Sequence, residues 1–228
     1  MTTPSIQVLL SALPPESTHA DAEQVLRQAG WEPCGAGDWA FALASPDGGL
    51  VARISPFDPV GPYTARLYQE AAETGLVPRL MAHRRLAGGG DLQVMERLTA
   101  VSETEAEMFL ARLAEPGLEL GALVAVVARV HLEAQQALPW CGPVDSNPSN
   151  VMRGGAGQLV LTDPYYADGP NLYATAENDP DRLVALIPEH ERRYMTEIPL
   201  TESGPWPSEE REALREKLRL ADERRRDR

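Results

Sequence analysis

The sequence is poor in cysteine. It has two, Cys34 and Cys141, in 228 residues. Neither belongs to a Cys-x-x-Cys pair, and two thiols do not make a disulfide framework. A reducing, cytoplasmic setting is the simplest expectation. Positive charge is also short: lysine and arginine number 21 against 34 aspartates and glutamates, for a formal charge of −13. Binding to nucleic acid or to an anionic membrane surface needs a basic face, so neither partner is expected. No apolar run is long enough to cross a bilayer. The longest, Leu118 to Val130, is broken by Glu119 and Arg129 and reads as a buried helix. The run Ile6 to Leu13 is too short for a signal sequence and is followed by Pro14, Pro15 and Glu16, so no signal peptide is expected. No internal repeat is visible. The four histidines, His19, His83, His131 and His190, are scattered without metal-ligand spacing and read as surface or capping residues.

What is present is enough to build a core. Hydrophobic residues make up 43% of the chain, sufficient for one large domain or two small lobes sharing a cleft. Thr18 or His19 to Ala29 reads as a helix with Thr18 as cap, Asp21 in the first turn and Gly30 past the end. Gly35-Ala36-Gly37-Asp38 then precedes two apolar stretches, Trp39 to Ala44 and Leu50 to Ile54. The turn residues Ser45 to Gly49 join them, which predicts a hairpin entered through a glycine loop. Tyr63 to Thr74 has helical spacing, and Val77 to Arg85 and Leu92 to Met95 read as strands. After Leu98 the pattern becomes helical: Ser102 or Thr104 to Leu113, Gly121 to Leu138, Asp181 to Thr196 and Ser208 to Asp222. The change near Glu96 to Thr99 predicts a boundary, with residues 1–97 on one side and 98–228 on the other. The last stretch, from Glu209, is dense in both signs and ends in Arg224, Arg225, Arg226 and Arg228. It reads as a solvated helix, with a partner-binding tail as the alternative.

The segment richest in chemistry follows the long helix. Asp145 stands five positions before Asn150, and thirteen positions later Asp163 ends the apolar stretch Leu159 to Thr162. Phosphoryl transfer requires a carboxylate to orient the acceptor hydroxyl. It also requires oxygen donors to hold magnesium on the nucleotide phosphates.

This segment resembles the catalytic and metal-binding loops of the protein-kinase-like superfamily, in particular its aminoglycoside phosphotransferase and small-molecule kinase branch. The resemblance runs from about Gly30 to Tyr166. It implies an α+β, bilobal fold: an N-lobe antiparallel sheet with one helix, and a reduced, mainly helical C-lobe. It makes Asp145 the catalytic base and Asn150 and Asp163 metal ligands. Gly35 and Gly37 resemble the loop over the phosphates, and Arg53 holds the place of the phosphate-binding lysine. Glu70 matches the helix glutamate that pairs with that lysine, with Glu73 one turn later as competitor. Glu96 and Leu98 fall in the strand leading into the hinge that holds adenine. The implied cofactors are ATP, or another nucleoside triphosphate, and Mg2+.

Several positions depart from the family pattern. Arginine is bulkier than lysine and binds phosphate in a forked geometry. Pro143 and Val144 stand where a histidine normally supports the catalytic loop. Pro164, Tyr165 and Tyr166 follow Asp163 in place of a glycine-containing motif. Only Ala167 to Arg228 follows the metal loop, so the substrate platform is small, supplied by a second subunit in a homodimer, or absent. No substrate motif is evident. Cys141 reads as a small buried hydrophobe, Trp31, Trp39, Trp140 and Trp206 as packing residues, and Tyr165 and Tyr166 as packing beneath the metal loop. Two functions compete. One is an ATP- and magnesium-dependent phosphotransferase acting on a hydroxyl of a small molecule, peptide or protein. The other is a pseudokinase that binds a nucleotide or a partner without transfer. Nucleotidyl transfer is a third.

Overall fold

The computed structural model describes residues 6–115, 117–201, 203–204 and 206–227. Among these the chain is α+β, with eight α-helices and two antiparallel sheets. Two helices open it, α1 (Ile6–Ser11) and α2 (His19–Gln28). The sequence analysis did not foresee α1, which is too short to show a helical period. Thr18 caps α2 as expected. Its hydroxyl accepts from Asp21 N while the Asp21 carboxylate accepts from Thr18 N at 2.8 Å, satisfying donors the first turn cannot pair.

The larger sheet contains β1 (Glu32–Ala36), β2 (Phe41–Ala44), β3 (Leu50–Ser55), β4 (Leu80–Arg85) and β5 (Asp91–Glu96), in the order β1-β2-β3-β5-β4. Leu43, Ala52, Ile54, Leu92 and Val94 are fully buried on one face, under α1, α2 and Trp31. Strand alternation sends their neighbours to the other face. There Arg53 lies opposite Gln93, and Asp91 follows two positions along the same strand. Helix α3 (Gly61–Glu70) connects β3 to β4.

A smaller sheet joins β6 (Thr99–Ala100), β7 (Val151–Arg153) and β8 (Leu159–Leu161). Helix α4 (Glu103–Ala114) starts at Ser102, whose capping box uses Glu105. Helix α5 (Leu118–Ala137) carries Leu123 and Val130 fully buried. They share a core with Leu67 and Tyr68 of α3, Met95 of β5, Phe109 of α4 and Tyr165. This core draws on residues from both sides of position 97.

A third cluster gathers Phe57, Trp140, Met195 and three further helices, α6 (Gly169–Asn178), α7 (Pro180–Leu186) and α8 (Ser208–Arg226). Two expectations are corrected here. The helix predicted over Asp181 to Thr196 ends at Leu186, because Pro188 cannot donate to a continuing ladder. Beyond it come a single 3-10 turn, Glu189–Glu191, and further turns. Helix α6 was not foreseen, although Asp168 caps it through Asn171 N at 3.1 Å.

Candidate active site

The glycine segment is partly strand rather than loop. Gly35 pairs with Ala42 across β1 and β2, and the turn begins at Gly37, whose N–H donates to Ala40 O at 2.9 Å. A Cβ at Gly35 or Gly37 would meet nothing within 4 Å. Packing therefore does not require glycine at either position. Their missing side chains leave that wall of the cleft low and its backbone approachable. The hairpin tip is tied down from the far end of the chain. Asp38 O accepts from Leu200 N at 3.0 Å, and its carboxylate accepts from Ser203 N at 2.9 Å.

Arg53 reaches from β3 into the interior. Its Nη1 lies 2.8 Å from Asp58 Oδ2 and its Nη2 lies 3.2 Å from Asp163 Oδ2. Burial works against the Arg53 charge, but the carboxylates of Asp163 and Asp58 more than offset it, so Arg53 is held firmly as a cation. Asp58 is 2% exposed. Its second oxygen accepts from Val60 N at 3.1 Å and Gly61 N at 2.7 Å, so the same carboxylate caps α3. The carboxylate that faces Arg53 from the start of the helix is thus Asp58, not Glu70. Glu70 closes α3 and pairs with Arg66 at 2.6 Å and with Arg129 of α5. It sits on the outer side, where the i,i+4 spacing to Arg66 places it. Asp58 was missed because it lies in a proline-rich loop before the helix. Its signal was cap chemistry: an Asp two residues ahead of Val60 and three ahead of Gly61.

The acidic loop is built by local hydrogen bonds. Asp145 Oδ1 accepts from Asn147 N at 2.9 Å, and Asp145 Oδ2 accepts from Asn150 Nδ2 at 2.9 Å. Asn150 Nδ2 also reaches Asp163 O at 3.3 Å, which leaves its amide oxygen as the side-chain atom open to a cation. Thr162 N donates to Asn150 O at 2.7 Å, and Asp145 N donates to Pro164 O at 2.8 Å. These bonds lock the two loops together. Asp163 has φ +43°, in the left-handed region. A non-glycine residue held there costs on the order of 1–3 kcal/mol and marks a position the surroundings over-determine. Its backbone N–H donates to Tyr68 OH at 2.9 Å, so α3 grips the loop at Asp163 through Tyr68. Burial pushes the Asp163 carboxyl above its ordinary value, with Arg53 pulling against that rise and Asp58 adding to it.

His131 of α5 bonds Gly142 O through Nε2 at 2.7 Å and stacks on Tyr165 at 5.6 Å between ring centroids. It braces the loop from beneath, and its reading as a surface residue is corrected. The same holds for His83, whose Nε2 lies 2.8 Å from the fully buried Asp91, and for His19, which packs edge-on against Tyr194. Cys141 is half-buried and burial pushes its thiol up, in keeping with a small apolar residue.

Gly35, Gly37, Arg53, Asp58, Asp145, Asn150 and Asp163 line one cleft of about 370 Å³. Six of these seven are residues singled out from the sequence. Glu70, Glu96 and Leu98 stand outside it. Glu96 instead accepts from Arg79 N at 2.9 Å and from Gly155 N at 3.3 Å. Beside Asp145 a second, apolar groove of about 580 Å³ runs between α4, α5 and residues 144–146, and includes the exposed Leu132 and Val144.

Neither a family model nor a curated protein matches the sequence. Two solved structures of the PknI kinase domain from Mycobacterium tuberculosis are similar in part. One is 18% identical and covers 60% of this chain and 58% of that one, with a TM-score of 0.28. The other is 16% identical and covers 83% and 96%, with a TM-score of 0.27. The chain thus matches less than two thirds of the first structure's length. Superpositions this loose establish neither a shared fold nor a shared activity.

Proposed function

We propose that this protein is a phosphotransferase of kinase-like, bilobal design, with a boundary between residues 97 and 98. It would move a phosphoryl group from ATP to a hydroxyl of a small molecule, peptide or protein. The observation that carries this reading is the convergence of Arg53, Asp145, Asn150 and Asp163 on one cleft beside the open backbone of Gly35 and Gly37. A cation, a general base and two oxygen donors around one space are the parts phosphoryl transfer needs.

The donor set fits magnesium. Among the described residues, no group of three or more His, Cys, Asp or Glu side chains could hold a metal alone. Magnesium keeps several waters and phosphate oxygens, so two protein donors suffice. Asn150 and Asp163 would hold it, and it would supply charge neutralisation on the phosphates. Asp145 would orient the acceptor hydroxyl and take its proton, its own position fixed by Asn147 N and Asn150 Nδ2. Arg53 would present its guanidinium to phosphate oxygens. Asp58 keeps Arg53 in place when Asp163 exchanges that partner for a cation. The chain's single lysine, Lys217, lies on α8, so no lysine can take the Arg53 role. Glu96 and Leu98 belong to the adenine side only as an expectation from the family pattern.

A second reading rests on the Arg53–Asp163 ion pair, 3.2 Å long. If that pair persists with nucleotide bound, the protein is a pseudokinase. Thermal denaturation with ATP and Mg2+ tests binding, since any ligand of the native state raises Tm. Labelled ATP, with wild type beside Asp163→Ala, tests transfer. The phosphotransferase reading expects a shift and a turnover that Asp163→Ala abolishes. A shift without turnover selects the pseudokinase, and the absence of any nucleotide shift rejects both. Arg53→Lys divides them further, because an adapted site loses activity on this change.

A further inference from the structure

One cavity lies away from the cleft and shares no lining residue with it. It has a volume of about 700 Å³ and opens between α8 and the turns after α7. In a chain of net charge −13, its wall carries six arginines: Arg192, Arg193, Arg215, Arg219, Arg225 and Arg226. Two carboxylates, Glu189 and Asp222, stand among them. The wall therefore carries a surplus of four positive charges.

The arginines are unequally satisfied. Arg192 is 4% exposed and pairs through Nη2 with both oxygens of Asp222, at 2.5 and 2.6 Å, yet its Nε is buried without a partner. Arg193 pairs with Glu189 at 2.7 Å, while Arg215 and Arg219 pair with carboxylates off the cavity wall. Among the described residues Arg226 reaches only the Asp222 carbonyl, at 3.4 Å, and Arg225 has no partner. A solvated helix of alternating charge accounts for the pairs along α8. It does not account for a deeply buried arginine on the second wall or for the convergence of both elements on one concavity.

We infer that this cavity is a binding site for a multiply charged phosphate compound. Guanidinium forks match phosphate oxygens bidentately and are weakly hydrated, so a concave set of them favours phosphate over a single carboxylate. The volume suits a ligand of nucleotide size or smaller. The proposal gives a role to the arginine-rich end of the chain and is independent of the reading of the cleft.

The test uses inorganic pyrophosphate as probe, without magnesium, followed by calorimetry and thermal denaturation on the full chain. Wild type should show saturable binding that weakens as salt rises. The double variant Arg219→Gln, Arg225→Gln alters exposed side chains and leaves the buried Arg192–Asp222 pair intact. It should weaken binding by roughly tenfold or more. Undiminished binding in the double variant overturns the proposal. So does an equal thermal shift from sulfate at matched ionic strength, or the absence of saturable binding in wild type.

Discussion

Asp58 does two jobs with one buried carboxylate. One oxygen neutralises Arg53 and the other caps α3. Removing it leaves a buried guanidinium with only Asp163 and leaves two helix N–H groups unpaired. Asp58→Ala is expected to cost about 3–5 kcal/mol in urea denaturation, the range for breaking a buried ion pair. A loss under about 1 kcal/mol would show that Arg53 re-pairs without strain. Asp163 behaves differently. Its folded pKa is raised by burial, so the folded protein holds that proton more tightly than the unfolded chain does. Its favourable contribution is present below the ordinary carboxylate range and is lost as pH rises through the folded value. Asp163→Asn removes both that pH dependence and the ion pair with Arg53, so the difference in Tm should move in the variant's favour as pH rises from about 4 to 7. The same variant should respond less to ATP and Mg2+. A difference that moves toward wild type as pH rises contradicts this account.

At the scale of elements, α3 organises the site through its N-terminus and its inner face. Asp58 fixes where it starts, and Tyr68 passes its position to Asp163 N. The outer face, with Arg66 and Glu70, binds α3 to Arg129 and Glu133 of α5. These pairs are partly exposed, and such networks contribute modestly. Tyr68→Phe tests the inner link. It removes the acceptor for a backbone N–H held at positive φ, so stability should fall by about 1–3 kcal/mol. The nucleotide-dependent rise in Tm should fall with it. Loss of stability with the nucleotide response intact would confine Tyr68 to packing.

The whole molecule is held by three apolar clusters, two of which span the predicted boundary at 97. Leu67, Tyr68 and Met95 come from before it, and Phe109, Leu123 and Val130 from after it. Phe57 likewise joins the third cluster, among α6, α7 and α8. Unfolding should therefore be one cooperative transition rather than two. Trp31 lies in the cluster of the larger sheet and Trp140 in the helical one. Tryptophan fluorescence and far-ultraviolet circular dichroism should give coincident curves. Two separated midpoints would mean that the shared core does not couple the halves.

Short-range chemistry was legible in the linear chain. Thr18 with Asp21, and Ser102 with Glu105, announce helix starts because capping acts over three residues. Asp145, Asn150 and Asp163 could be grouped because a loop and a hairpin, with few residues between, bring them together. Long-range choices were not legible. Glu70 and Asp58 were both acidic residues near one helix, and only the seating of α3 on the sheet decided which of them meets Arg53. His131 was one of four scattered histidines until α5 placed it under Gly142 O. The arginine cavity forms only where the turns after α7 fold against α8. The sequence alone determined which side chains could cap, turn or hold an oxygen ligand, since these depend on neighbours along the chain. Tertiary packing decided which charges face one another, since that depends on which surfaces the apolar cores bury.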